Sequence, residues 1–320
     1  MKCKFLFLTA LSLGLLSTQV AAATPNVSAH VGSYNLILKG DYSNQSDTEG
    51  TVFIGGNIDQ PGTAIPFGNS LPADNSIDAV TVVGNINAGN VQASSGTNIV
   101  YGGNLLGTTN LMVSDGGSIT QKSQATLQTE FDNIWSQVQS DSAYFAGLSA
   151  TPGAGYDFSD WNQAKFKTST ATDLTVYNIL GSDLTGNTLT LNFETVPTVP
   201  VVINVDASSN KNITVKANMG FDADTIGPMI LWNFYNAENI TFDTGWVGSI
   251  LAPNAHLYSS AAPLEGGVAA LSFSGNTEFH NNLYSYVPPK EPPTEQVPAP
   301  AGVLLIGLGL LVMARRKFTK

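Results

Sequence analysis

The chain has 320 residues, 13 basic and 24 acidic side chains, and a formal net charge of −11. Lys2, Lys4, Arg315, Arg316, Lys317 and Lys320 lie at the two ends, so the stretch between holds seven basic groups against 24 acidic ones and no arginine. That balance excludes a nucleic-acid binder, which needs clustered Lys and Arg against phosphate. With 31 glycines and 12% charged residues, the composition also excludes a coiled coil and a charged disordered tail.

Residues 1–23 read as a signal peptide: a basic start at Lys2 and Lys4, an apolar run over 5–16, and Ala21, Ala22 and Ala23 before a cleavage point at Thr24. The only cysteine, Cys3, falls inside it. The expected mature chain is therefore cysteine-free, which excludes a small disulfide-stapled scaffold.

Beyond residue 30, short apolar runs alternate with Gly and Asn turns, the pattern of an all-β chain. One phrase recurs: Ile54-Gly55-Gly56-Asn57-Ile58, Val83-Gly84-Asn85-Ile86 and Tyr101-Gly102-Gly103-Asn104-Leu105. Recurrence every ~20 to 30 residues predicts stacked coils, each burying its inner face only against its neighbours. Residues 123–148 break the pattern. Leu127, Phe131, Ile134, Val138 and Phe145 recur at helical spacing, with no proline and no glycine before Gly147. The spacing predicts an amphipathic helix packed along the coil, its apolar face widened by Trp135 and Tyr144.

After a connector over 151–167, strands are predicted at 173–179, 188–193, 199–205, 212–215, 229–233 and 239–243, and in the glycine-rich phrases 245–255, 264–270 and 273–281. The run over 199–205 is almost wholly apolar, as in a strand buried on both faces. The expected fold class is all-β: a right-handed parallel β-helix over 24–286 with one flanking amphipathic α-helix at about 123–148.

Residues 287–300 form a Pro- and Glu-rich spacer. An apolar stretch over 301–314 follows, short of the ~20 residues of a full span, and then Arg315-Arg316-Lys317, which the positive-inside bias holds in the cytoplasm. The motif Val297-Pro298-Ala299-Pro300 with this helix and basic tail resembles a PEP-CTERM sorting signal, departing from it at Ala299, where that family has Glu. The resemblance implies export in a Gram-negative bacterium that makes exopolysaccharide, transient anchoring of residues 301–320 in the inner membrane, and an exosortase-type processing enzyme as partner. A plain membrane anchor is the alternative.

The body resembles the choice-of-anchor A domain. Tyr34-Asn35, Gly40-Asp41, Ser46-Asp47-Thr48-Glu49-Gly50 and Gly55-Gly56-Asn57 match its start. Trp232-Asn233-Phe234, the phrase over 248–253, Glu265-Gly266 and Glu278-Phe279-His280-Asn281 match its end. The match covers about 30–286, with Thr51 at a position that is often basic. The resemblance implies a surface or matrix protein and supplies no activity.

No chemistry-bearing constellation stands out. His30, His256 and His280 are far apart, and zinc would need a convergence with carboxylates; His280 reads as a hydrogen-bonding residue at a coil end. Asp41, Asp47 and Glu49, and the pair Asp222 and Asp224, are candidate calcium ligands or turn-forming carboxylates; no cofactor is otherwise expected. There is no Gly-x-Ser-x-Gly elbow. The expected function is a non-enzymatic structural or adhesive role, associated with biofilm, exopolysaccharide or surface proteins. The alternatives are an ice-binding protein, for which Thr188-Leu189-Thr190 is the one convincing Thr-x-Thr step near a strand, and a polysaccharide-active β-helix enzyme.

Overall fold

Short apolar runs separated by glycine corners can bury their side chains only by stacking rung on rung. In the computed structural model, which describes residues 24–160, 162–186, 189–260 and 262–286, they do so as one large parallel sheet wound into a helix-like coil. Each turn passes along a first face (face A), rounds a corner onto a second (face B), and returns by a shorter third (face C). Face A stacks ten strands in the spatial order Thr175–Leu180, Val201–Asp206, Ile230–Asn233, the starts of Ser249–Ser259 and Val268–Gly275, Leu36–Leu38, Val52–Ile54, Asp78–Val82, Asn98–Tyr101 and Ile119–Gln121. All nine of these pairings are parallel.

That order is not the chain order. The segment 36–121 builds one half of the stack and the segment 175–280 the other. The last coil of the second half lies against the first coil of the first: Leu36 pairs with Val268, Ile37 with Ala269 and Leu38 with Ala270. Helix α1 (Gln124–Ala146) makes this possible by carrying the chain back along face A. Its start lies against Gly102 and Phe131 lies against Gly55. Farther along, Ser142 meets Asn233 and Phe145 meets Asn204. At 1.5 Å per residue such a helix is about 35 Å long, and ten rungs at ~4.8 Å span about 43 Å, so the helix runs along most of the stack.

Two cores result. Inward from face A, Tyr177, Ile203, Trp232, Ile250, Val268, Leu36, Val52, Val80 and Ile99 form a continuous buried column inside the coil. Outward, Val202, Leu231, Leu251, Ala269, Ile37, Phe53 and Val100 pack under Leu127, Phe131, Trp135, Val138 and Phe145 of α1. Face A is thus apolar on both sides, which accounts for the uninterrupted buried run in Val201–Asp206. The Phe131 ring meets Phe53 edge-on at 5.3 Å and stacks on Trp135 at 5.8 Å.

The recurring Gly-Asn phrase is the corner between faces A and B. Gly56, Gly84 and Gly103 sit one above the other, so close that a Cβ on Gly84 would lie 2.4 Å from the Gly56 carbonyl oxygen. The following side chains form a ladder. Asp41 Oδ1 accepts from Asn57 N, Asn57 Oδ1 from Asn85 N and Asn85 Oδ1 from Asn104 N, each at 2.8 Å. These bonds satisfy amides that the turn removes from the sheet.

A second ladder serves the helix. Asn178, Asn204 and Asn233 are register partners on face A, and each Nδ2 of Asn204 and Asn233 donates to the Oδ1 of the rung below at 2.9 Å. The same amides donate to carbonyls around the C-terminus of α1: Asn233 to Ser142, Asn204 to Phe145 and Asn178 to Leu148. Helix-terminal carbonyls lack i+4 partners; here the Phe145 carbonyl accepts from Leu148 N and, from the sheet, Asn204 Nδ2. Replacing the buried Asn204 by Leu is expected to lower the unfolding free energy by about 2 kcal/mol, because it removes the hydrogen bonds that Asn204 makes to the Phe145 carbonyl, to Asn178 and from Asn233. Urea denaturation followed at a helical wavelength checks this; an unchanged midpoint would refute the capping role.

Candidate functional site

Face B alternates strictly over most of its width. Ile213, Val215, Ile240, Phe242, Leu257, Phe273 and Tyr42 point inward and are buried. Their neighbours point out and form two columns across the rungs. One is Asn212, Asn239, His256 and Ser272; the other is Thr214, Thr241, Tyr258, Ser274 and Ser43. Parallel rungs lie ~4.8 Å apart and alternate residues ~6.6 Å apart along a strand, so the columns make a flat grid of hydroxyls and amides.

The grid is held by its own hydrogen bonds. Asn239 Nδ2 donates to Asn212 Oδ1 at 2.7 Å. The His256 ring bridges Ser272 Oγ at 2.8 Å and Ser274 Oγ at 2.9 Å. Burial of that ring lowers its pKa below the ordinary histidine value, which favours the neutral form. On the far side the grid ends in the strand Ile58–Phe67, where a register shift between Gln60 and Ala64 bulges Pro61 and Gly62 outward.

The seam between the halves of the coil gathers a second group. Asn35 is fully buried; its Nδ2 donates to the carbonyls of Gly266 and His280, and its Oδ1 accepts from Gly50 N at 3.0 Å. Glu49 Oε2 accepts from Asn281 N at 3.0 Å. The His280 ring meets Glu265 Oε1 at 2.8 Å and Glu278 Oε2 at 3.2 Å. Thr48 bridges to Phe279 on face C. Residues near the two ends of the body, Asn35 and residues 48–50 at the start and Gly266 and residues 279–281 at the end, thus meet in space and join the first coil of the chain to the last.

A family described as "Putative Ice-binding-like adhesive domain" matches residues 27–281. The chain belongs to this family. No curated protein matches it. Among solved structures it is similar to an ice-binding protein from an Antarctic biological consortium, with 11% identity, 82% of this chain and 92% of that one covered, and a TM-score of 0.30. It is also similar to one from the Antarctic ascomycete Antarctomyces psychrotrophicus, with 13% identity, 84% and 100% coverage and a TM-score of 0.28. A third, from an Antarctic Flavobacteriaceae bacterium, has 12% identity, 80% and 82% coverage and a TM-score of 0.21.

Within this ice-binding-like adhesive domain the calcium candidates do not assemble. Asp41 belongs to the corner ladder, Asp47 Oδ2 accepts from Asn69 Nδ2, and Glu49 is committed to the seam. The chain rounds a corner between Asp41 and Asp47, which puts neighbours in sequence on different sides of the coil. Asp222 Oδ1 accepts from Thr225 N as the cap of the short helix Ala223–Ile226. Among the described residues, no three His, Cys, Asp or Glu side chains form a group able to hold a metal ion. His30 is buried against Asp141 of α1 at 2.8 Å, pinning the start of the domain to the helix. His280 is a coil-end hydrogen bonder, as its context in the sequence indicates. Val297, Pro298, Ala299, Pro300, Arg315 and Arg316 lie outside the described residues, as does Thr188; no helix among the described residues is long and apolar enough to cross a membrane.

The face B residues were missed by the search for Thr-x-Thr. The available signal was the tripeptide Asn-Ile-Thr, which occurs at 212–214 and again at 239–241 and lies on adjacent rungs.

His280 gives the seam a pH dependence. Burial opposes its charge, but hydrogen bonds to Glu278 and Glu265 and the charges of Glu265 and Glu49 outweigh burial and raise its pKa. A raised folded-state pKa means a contribution that is complete below the ordinary value of 6.5 and lost as pH rises through the folded value. Denaturation midpoints of the wild type are therefore expected to fall relative to those of H280Q as pH climbs from 6.5. Parallel curves for the two proteins would contradict this.

Proposed function

We propose that this domain is a non-enzymatic adhesive module, exported to the outer surface or extracellular matrix of a Gram-negative bacterium, whose contact surface is face B. The observation that carries the reading is the grid of Asn212, Thr214, Asn239, Thr241, Ser272, Ser274 and Ser43 on a rigid parallel sheet. Each hydroxyl both donates and accepts, and each amide offers both roles, which suits neutral polyhydroxylated surfaces such as exopolysaccharide. Because the positions are fixed by sheet register and by side-chain bonds, little ordering entropy opposes contact. Weak contacts repeated over several rungs add by effective concentration. Membership in an adhesive domain family supports the same reading.

Further parts of the proposal rest on sequence. The coil is right-handed, following the handedness of parallel crossovers. The resemblance to choice-of-anchor A, with the tail over 287–320, assigns delivery to a PEP-CTERM-like route through an exosortase-type enzyme. No cofactor is assigned, and no residue set is assigned to catalysis.

A second reading, ice binding, is favoured by the two stacked Asn-Ile-Thr rungs and by the ice-binding-like character of the family. Against it stand Tyr258, which projects from the middle of the grid at 43% exposure, and the neighbouring His256.

The discriminating test puts both readings on one variant. T214K with T241K places two long charges on the grid while leaving the core intact, with stability expected within about 0.5 kcal/mol of wild type. Binding to cell-surface exopolysaccharide is expected to weaken at least about tenfold, or ~1.4 kcal/mol. Wild-type protein that shapes ice crystals but binds no polysaccharide would replace the adhesive reading with the ice-binding one. Release of soluble sugar from the polymer would replace both with an enzyme.

A further inference from the structure

The two ends of the coil are finished differently. At the end formed by Thr175–Leu180, Thr151 N donates to the Val176 carbonyl and Thr151 Oγ1 accepts from Val176 N on the outer edge of that strand, while the antiparallel pair Tyr156–Asp157 and Lys165–Phe166 closes the neighbouring strand Thr190–Phe193. Beneath it Phe158 meets Phe166 edge-on at 5.3 Å, and Phe166 packs on Phe193 at 5.3 Å and Tyr177 at 4.9 Å. An aromatic plug and an antiparallel hairpin stop further parallel growth.

The opposite end has neither. Its last coil, residues 103–121, repeats the inward column of the coil below, but nothing among the described residues lies above it. Ile86 is fully buried, while Leu105, which bridges to it on the next rung, is 41% exposed. Ile99 is fully buried, while its partner Ile119 is 44% exposed. Leu111 and Val113 continue the column of Val91 and Ala93 and are half-exposed. The strands Asn110–Val113 and Ile119–Gln121 each have one partner strand, so their other backbone edges are open. Natural edges of this kind are usually blunted by Lys, Pro or a bulge. Residues 103–121 contain no proline and one charge, Asp115.

We propose that this coil is an end-to-end interface with the same coil of a second copy of the chain, the two Ile119–Gln121 edges pairing antiparallel about a two-fold axis. Three features of the chain favour a second copy over a foreign partner. The chain already joins open coils without covalent continuity, since the seam between Leu36–Leu38 and Val268–Gly275 is such a contact. The end is almost uncharged in a chain of net charge −11, so two copies meet there with little of the repulsion that other surfaces impose. The aromatic plug blocks the opposite end, so a head-to-tail filament is excluded and a closed, isologous pair remains.

The test uses the full chain carrying Cys3→Ser. In an antiparallel pair about the two-fold axis, Thr120 faces its own copy at about 4.5 to 5.5 Å between Cα atoms, within disulfide range. T120C is expected to give a covalent dimer under mild oxidation, whereas S208C, on an exposed loop of the other half, is not. By sedimentation equilibrium, I119K and, separately, L105K are expected to raise the dimer dissociation constant at least tenfold with unchanged circular dichroism. A chain that stays monomeric, T120C cross-linking no faster than S208C, or a dimer indifferent to both lysine variants overturns the proposal. So does a dimer lost on L304E with L310E but kept in I119K, because the apolar tail would then be what joins the copies.

Discussion

The pairing of Val268–Ala270 with Leu36–Leu38 is the constraint on which the rest of this domain depends. A coil of a parallel stack has no core of its own; its inner side chains become buried only when another coil covers them. Each half of this chain would present an uncovered coil at the seam, with Leu36 and Leu38 exposed on one side and Val268 and Ala270 on the other. Docked, all four are at most 1% exposed. The contact spans residues more than 200 positions apart, so its loop-closure cost must be met by cooperative contacts on all three faces. Face A supplies the triplet pairing, face B the pairing of Tyr42 with Phe273, and face C the bridge from Thr48 to Phe279.

Helix α1 is the covalent counterpart of that seam. Since the chain leaves one end of the stack and must re-enter at the other, the return segment has to be long, straight and apolar on one side. A strand could not serve, because its backbone groups would need a second sheet. A helix satisfies its backbone internally, except at its ends, and those ends are met by Ser123 at the start and by the Asn178–Asn204–Asn233 ladder at the finish. The polar residues buried beneath the helix are therefore an adaptation to where the helix stops.

Elements that repeat locally could be read from the chain, and elements that depend on distant partners could not. The helix predicted at 123–148 is observed at Gln124–Ala146, because Leu127, Phe131, Val138 and Phe145 carry their own periodicity. The three Gly-Asn phrases were visible for the same reason, and they do stack. A fourth member, Gly40-Asp41, escaped notice, since a polar Lys39 precedes it and Asp replaces Asn. The folding back of the chain left no trace, because periodicity states that coils stack and is silent on which coil meets which. The face B grid was hidden where Ser249–Ser259 and Val268–Gly275 round the corner without a Gly-Asn phrase. Asp41, Asp47 and Glu49, read from the sequence as candidate calcium ligands or turn-forming carboxylates, meet different partners, because proximity in sequence is not proximity in a coil that turns a corner every few residues.

The distribution of polarity over the three faces narrows the kind of function the domain can have. Face A is sealed by α1 and offers no surface over most of its length. Face C carries the acidic residues of the seam, and these are engaged with His280, Asn281 and Asn282. Face B alone combines flatness, neutral hydrogen-bonding groups and an ordered spacing set by the backbone. A small-molecule site requires concavity and convergent groups, whereas a parallel sheet disperses its side chains at fixed intervals. On the proposed reading such a surface recognises another extended array, and its strength comes from the number of rungs engaged more than from any single residue. On that argument a longer run of matched rungs, unbroken by Tyr258 or by the bulge at Pro61 and Gly62, would bind a periodic surface more tightly, while the interruptions present here suit a less regular polymer.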